Sequence, residues 1–306
     1  MTSLPFKPDT PVSGHGKLTR RRFLALGLPL AAAGTLGGTL GRGLEEAQGL
    51  TVKNIAISIP QLPPAFDGFS IAHLSDFHYH PIYSANPIIK GIRAANKLNP
   101  DAVVLTGDFV TRPLFRLQRR AIDNIQAQAE PCAELLSHLR PRQGTYAVLG
   151  NHDQNSKPAL ITASLEKYGI RVLRNRAVSL ERNGRRIWIA GVDDALIGAA
   201  DLPQAISGIP TGDTTILLAH EPDIADEVAE YAIRVQLSGH SHGGQIRLPW
   251  TGPPYLPELA RRYPWGLRKV GDLSLYTNCG LGTIGLPIRW NCPPELTLVR
   301  LVRGPS

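Results

Sequence analysis

From Thr51 onward the chain alternates short apolar runs with longer stretches in which apolar residues recur every three or four positions, as strands alternating with helices do. Ile71–Leu74, Ala102–Leu105, Tyr146–Leu149, Ile216–Ala219 and Val235–Leu237 are short β-type runs, each too short for a helix. Helical spacing predicts elements at about Ile88–Leu98, Arg116–Leu139, Ala159–Tyr168 and Ile224–Ala232, with Pro100 and Gly169 closing two of them. Asn183 and Gly184, between Val178–Leu180 and Ile187–Ala190, predict a tight hairpin, and Leu273–Tyr276 and Leu296–Val302 add C-terminal strands. The order is that of an α/β fold. The one long loop is Leu248–Gly266, which carries Trp250, Tyr255, Tyr263, Trp265 and five prolines.

Ahead of this pattern, residues 1–49 read as a separate segment and 50–306 as the folded domain. Thr19, Arg20, Arg21, Phe23 and Leu24 form a motif, and the uncharged stretch of 19 residues runs from Phe23 to Gly41. The segment resembles a twin-arginine export signal. That resemblance implies the twin-arginine export machinery as a partner and a place outside the cytoplasm, in the periplasm or cell envelope. Ala31, Ala32 and Ala33 offer a cleavage site, while 19 uncharged residues come close to the roughly 20 that span a membrane, so signal and retained anchor both stay open.

Composition narrows the rest. Hydrophobic residues make up 42% of the 306 and charged residues 19%, enough to bury a sizeable core and unlike a disordered chain. The net charge of +8 is partly N-terminal: residues 1–49 hold six basic and three acidic residues, leaving 27 against 22. Such mild basicity suits an anionic substrate or a membrane surface, and no basic run with interleaved aromatics marks a nucleic-acid groove. Three cysteines exclude a disulfide scaffold and a four-cysteine zinc site. Cys279 and Cys292 read as two buried thiols or a single bridge, and Cys132 as core.

The candidate chemistry follows the apolar runs: Asp76 and His78, Asp108, Asn151-His152-Asp153, His220, and His240 and His242. Side chains just past separate strands converge at one edge of a sheet, where α/β folds place their sites. Each alone is an ordinary turn or cap residue. Together they supply imidazoles, carboxylates and an amide carbonyl for two neighbouring metal sites, a nitrogen and oxygen set suited to Mn, Fe, Zn or Mg.

In order and spacing, these residues resemble the calcineurin-like metallophosphoesterases, whose pattern is D-x-H, GD, GNH-[DE], H and GH-x-H. Steps of 32, 43, 69 and 20 residues separate Asp76, Asp108, Asn151, His220 and His240. The likeness extends to an exported bacterial branch through Leu62, Pro63, Phe66 and Gly68, through Gly243-Gly244-Gln245, and through Gly280–Thr283, Leu286–Arg289, Pro294 and Glu295. It implies a four-layer α/β/β/α sandwich with two facing mixed sheets and two divalent ions. Asp76, His78 and His242 would hold one ion, Asn151, His220 and His240 the other, and Asp108 would bridge them. It further implies a phosphodiesterase or pyrophosphatase in which a hydroxide between the ions attacks phosphorus. His152 would donate a proton to the leaving oxygen, with Asp153 bonded to its ring, unless His152 is merely a turn residue. A phosphomonoesterase would use the same ligands. A non-catalytic scaffold on this fold would have lost some of them, and none is missing here.

Arg112, Arg116, Arg119 and Arg120 would either receive an anionic head group or lie on a solvated helix face. Trp250, Tyr255 and Trp265 would form a lid, dip into a lipid interface, or cap a small core. Lipid-linked or nucleotide-sugar phosphoesters would account for aromatics, arginines and export together. His73 and His80 flank the first motif and read as structural or as supports behind the ligands.

Overall fold

The computed structural model describes residues 37–111 and 126–305. The twin-arginine motif, Arg112, Arg116, Arg119, Arg120 and the first part of the helix expected from Arg116 lie outside the described residues. Arg42–Ser306 form one compact unit.

Two six-stranded mixed sheets make the frame. The first runs β1 (Thr51–Ile59), β12 (Glu295–Arg303), β2 (Ser70–Leu74), β3 (Ala102–Thr106), β4 (Thr145–Val148), β5 (Ile170–Val172). The second runs β10 (Gly266–Val270), β11 (Leu273–Thr277), β9 (Val235–Ser238), β8 (Thr215–Leu218), β7 (Arg185–Gly191), β6 (Arg176–Arg182). Within the first, β12 pairs parallel to β1 over nine residues, from Thr51 opposite Glu295 to Ile59 opposite Arg303, and antiparallel to β2. In the second, the β6–β7 hairpin is antiparallel while β7, β8, β9 and β11 are parallel.

The two-residue period of each strand sorts its side chains between layers. Ala102 and Val104 of β3 face inward with Ile71, Ile189, Ile216, Leu218 and Leu237, the core between the sheets. Val103 and Leu105 face outward onto α1 (Ala85–Leu98), α2 (Gln126–Leu136) and α4 (Pro158–Lys167). On the far side, Ala190, Leu217 and Leu275 meet α5 (Leu202–Ile206) and α6 (Ala225–Val228). The result is the expected α/β/β/α sandwich. Each buried leucine or isoleucine contributes about 1.5–3 kcal/mol relative to exposure, so strands covered on both faces are nearly all apolar. Residues 42–48, read from sequence with the N-terminal segment, pack onto the C-terminal loops: Arg289 N–H donates to Gly43 O at 2.9 Å, and Cys292 N–H to Glu46 Oε1 at 2.6 Å.

His73 of β2 is structural, as expected. It is wholly buried, with Nε2 2.9 Å from Thr106 Oγ1, and burial pushes its pKa from 6.5 down to about 3. The unfolded chain takes up a proton below pH 6.5 that the folded chain refuses, so this contribution to stability is complete above that pH and is lost as pH falls towards 3. The loss amounts to about 2 kcal/mol at pH 5. Urea unfolding between pH 7.5 and 5 is expected to show it, with a shallower slope for His73→Gln; equal slopes would refute the assignment.

Candidate metal centre

The C-terminal ends of β2, β3, β4, β8 and β9 meet at one edge of the two sheets, and backbone bonds lock their loops together. Asp76 N–H donates to Gly107 O at 3.0 Å, His78 N–H to Asp108 O at 2.8 Å, and Gly239 N–H to His220 O at 3.0 Å. Asp76, His78, Asp108, His240 and His242 all have positive φ, at 50°, 39°, 55°, 68° and 50°. Such backbone costs about 1 kcal/mol or more per residue and persists where the surroundings over-determine it. Here they do. Both Asp76 oxygens accept the His240 N–H, at 3.0 and 3.1 Å, and Asp108 Oδ1 accepts the His152 N–H at 2.9 Å. Gly107, at φ 90°, must be glycine: a Cβ there would stand 2.6 Å from Gly150 N and 2.7 Å from His220 Nδ1.

The side chains converge in three overlapping groups able to hold a metal ion: Asp76, His78 and His242; His78, Asp108 and His152; Asp108, His220 and His240. His78 Nε2 and His242 Nε2 are 3.0 Å apart, and His242 Nε2 is 3.5 Å from Asp76 Oδ1. Asp108 Oδ2 lies 3.3 Å from His78 Nε2 and 3.3 Å from His220 Nε2, between the groups. His220 Nδ1 donates to Thr106 O at 2.6 Å and His240 Nε2 to Glu258 O at 2.9 Å, which turns His220 Nε2 and His240 Nδ1 towards the centre. Asn151 Oδ1 is buried without a hydrogen-bond partner. Such an orphaned acceptor costs about 1–3 kcal/mol in a dry interior, a cost that a cation beside it removes. The donor set therefore fits a divalent metal site.

Against the penalty of burial, His220 and His152 hold the Asp108 carboxyl well below its usual range, and Asp108 in turn pushes His220 well above its own. Burial and the His220 charge push His240 down to about 3, and burial with His78 lowers His242, so both rings are neutral and ready to donate a lone pair.

A profile of the calcineurin-like phosphoesterases matches residues 69–244, more than half of the chain. The chain belongs to that family. It is 34% identical over 291 residues to the uncharacterized metallophosphoesterase YkuE of Bacillus subtilis, covering 93% of this chain and 98% of that one. To the phosphodiesterase YaeI of Escherichia coli it is 32% identical over 238 residues, 76% and 82% of the two chains. The calcineurin-like phosphoesterase YfkN from Bacillus subtilis, a solved structure, is 14% identical with a TM-score of 0.46 over 70% of this chain and 82% of that one.

In this phosphoesterase Asp76, His78, Asp108, His152, His220, His240 and His242 come together, and Asn151 lines the same cavity. Asp153 does something else. Its Oδ1 accepts the N–H groups of Phe109 and Val110 and its Oδ2 that of Gly150, so it clamps the β3 and β4 loops instead of meeting the His152 ring. Burial and the nearby Asp108 carboxylate raise its pKa to about 7. A buried pair behind His220, Glu221 and Asp194, had no signal in the sequence. Burial and Asp194 push Glu221 up to about 8 against the pull of His220.

The long loop divides. Trp265 lies under the Arg247 guanidinium at 4.1 Å, and Tyr263 donates its hydroxyl to Asp226 at 2.9 Å, whereas Trp250 is fully exposed and Tyr255 70% exposed. A cavity of about 500 Å³ opens over the centre, with Asp108, Asn151, His152, His240 and His242 on its floor and Ile246, Pro254, Tyr255, Pro257 and Ile284 in its walls.

Proposed function

We propose that this phosphoesterase is a dinuclear phosphodiesterase or pyrophosphatase that acts outside the cytoplasm on lipid-linked or nucleotide-sugar phosphoesters. The observation that carries the reading is the Asp108 carboxylate standing 3.3 Å from rings of both histidine groups, the place of a bridge. In the proposal Asp76, His78 and His242 hold one divalent ion, Asn151, His220 and His240 the other, and Asp108 both. When bound, ions of the Mn, Fe, Zn or Mg kind would supply Lewis acidity and an activated water. The residues do the rest. Asp108 would screen the mutual repulsion of the ions, and the His152 ring would give its proton to the leaving oxygen.

The preference for a diester rests on the cavity, whose aliphatic, proline and tyrosine walls suit a second substituent on phosphorus. YaeI, a relative, is named a phosphodiesterase. For a lipid-linked substrate and contact with a membrane, Trp250 at 101% exposure and Leu286 at 60% give the support. Among the described residues no helix is long and apolar enough to cross a membrane. Export through the twin-arginine machinery rests on the residue 19–24 motif.

Metal content and hydrolysis on one folded preparation test the reading. Two ions per chain are expected, with cleavage of bis-para-nitrophenyl phosphate that chelation abolishes and Mn, Fe, Zn or Mg restores. Faster cleavage of the monoester would favour a phosphomonoesterase, and a folded chain that takes up no metal would favour a scaffold.

A further inference from the structure

Behind the centre lie two thiols the reaction does not use. Cys279, just past β11, and Cys292, just before β12, are each 2% exposed and are free cysteines. Gly243 sits between them: a Cβ built on it would be 2.7 Å from Cys279 Sγ and 2.9 Å from Cys292 Sγ, so the sulfurs are separated by no more than those two distances together. Cys292 S–H donates to His242 O at 3.2 Å. Arg247 Nη2 donates to Cys279 Sγ at 3.2 Å while its Nε holds Gly243 O at 2.7 Å. Arg289 is wholly buried, with its guanidinium on the carbonyls of Cys279, Gly280, Gly282 and Cys292, so both cysteine backbones are pinned to one group. Nothing comparable surrounds Cys132, which lies in α2 in the apolar core.

We propose that Cys279 and Cys292 are a redox pair, a modification site that closes to a disulfide beneath the loop carrying His240 and His242. With hydrogen peroxide as the two-electron oxidant, one sulfur takes an oxygen to become a sulfenic acid and releases one water. The second sulfur then attacks it, the S–O bond breaks, the S–S bond forms and a second water leaves. Two thiol hydrogens and two electrons are given up, and peroxide is fully reduced. Closure withdraws the thiol donor from His242 O, so the thiol or disulfide state is felt directly by the backbone of a candidate metal ligand. The inference stands on the pair and its neighbours alone and holds whether or not the centre is a phosphodiesterase.

Thiol counting on the full-length protein tests it. After peroxide, denaturation and alkylation, one modified cysteine is expected, Cys132, with a peptide linking residues 279 and 292 whose mass is lower by two hydrogens and which dithiothreitol reopens. Cys292→Ser keeps a hydroxyl donor for His242 O and is expected to show no linked peptide and to leave Cys279 open to reversible sulfenic acid only. Three alkylated cysteines after peroxide would overturn the proposal, as would sulfinic or sulfonic acid at either position without the linked peptide. If the serine variant fails to fold, the wild-type peptide map decides alone.

Discussion

Asp108→Ala is expected to empty both groups of donors and to lower diester hydrolysis by at least about 10⁴-fold. One oxygen of Asp108 stands 3.3 Å from His78 and from His220, and the other accepts the His152 N–H at 2.9 Å, so a single truncation releases three loops. The change also strips negative charge from between two cation positions. At about 4 Å, unit charges in a protein environment interact by about 4 kcal/mol, and divalent ions by more, so neither group is expected to keep its metal. Elemental analysis of the purified variant, beside its circular dichroism, checks this. Two retained ions and undiminished turnover in a folded variant would remove Asp108 from the bridging position.

For His152→Ala the expected result differs: both ions stay, KM changes little, and turnover falls by about 10²–10⁴-fold. The His152 backbone N–H donates to Asp108 Oδ1, and alanine keeps that bond. The ring stands edge-on to His78, with centroids 4.7 Å apart, and faces the cavity. A proton donor matters most for a poor leaving group. The loss should therefore be small with nitrophenolate and large with an alkyl diester. Equal losses on both substrates would deny the proton-donor role, and lost metal would place the ring among the ligands, since it shares a donor group with His78 and Asp108.

The strands that carry the centre were legible because sheet and helices cover them on both faces, which leaves runs such as Ala102–Leu105 with no polar residue. Strands β1, β5 and β10 were not read. Thr51–Ile59 lies at a sheet edge with every second position exposed and only Ile57 and Ile59 fully buried, Ile170–Val172 has three residues, and Gly266–Val270 is mostly exposed. The short helix Asn151–Gln154 is too brief for any periodicity to register. Ligands could be read because side-chain chemistry names them. The carbonyls of Thr106 and Glu258, which orient two of the imidazoles, belong to the backbone, and any residue could present them. Asp153 misled because adjacency to His152 in sequence says nothing of direction: on the first turn of α3 (Asn151–Gln154) its carboxylate turns back onto the loops.

One consequence concerns the order in which the chain is made. Strand β12, the last in sequence among the described residues, lies between β1 and β2, two of the first three. Until residues 295–303 have left the ribosome, Thr51–Ile59 has no neighbour in its sheet and one flank of β2 is open. The first sheet is thus completed only once residues 295–303 are available, and a chain cut short before Glu295 leaves β1 without its neighbour and β2 with an open flank, edges that invite aggregation. For a protein proposed to leave the cytoplasm already folded, that strand is a checkpoint: only a chain with β12 in place can become cargo.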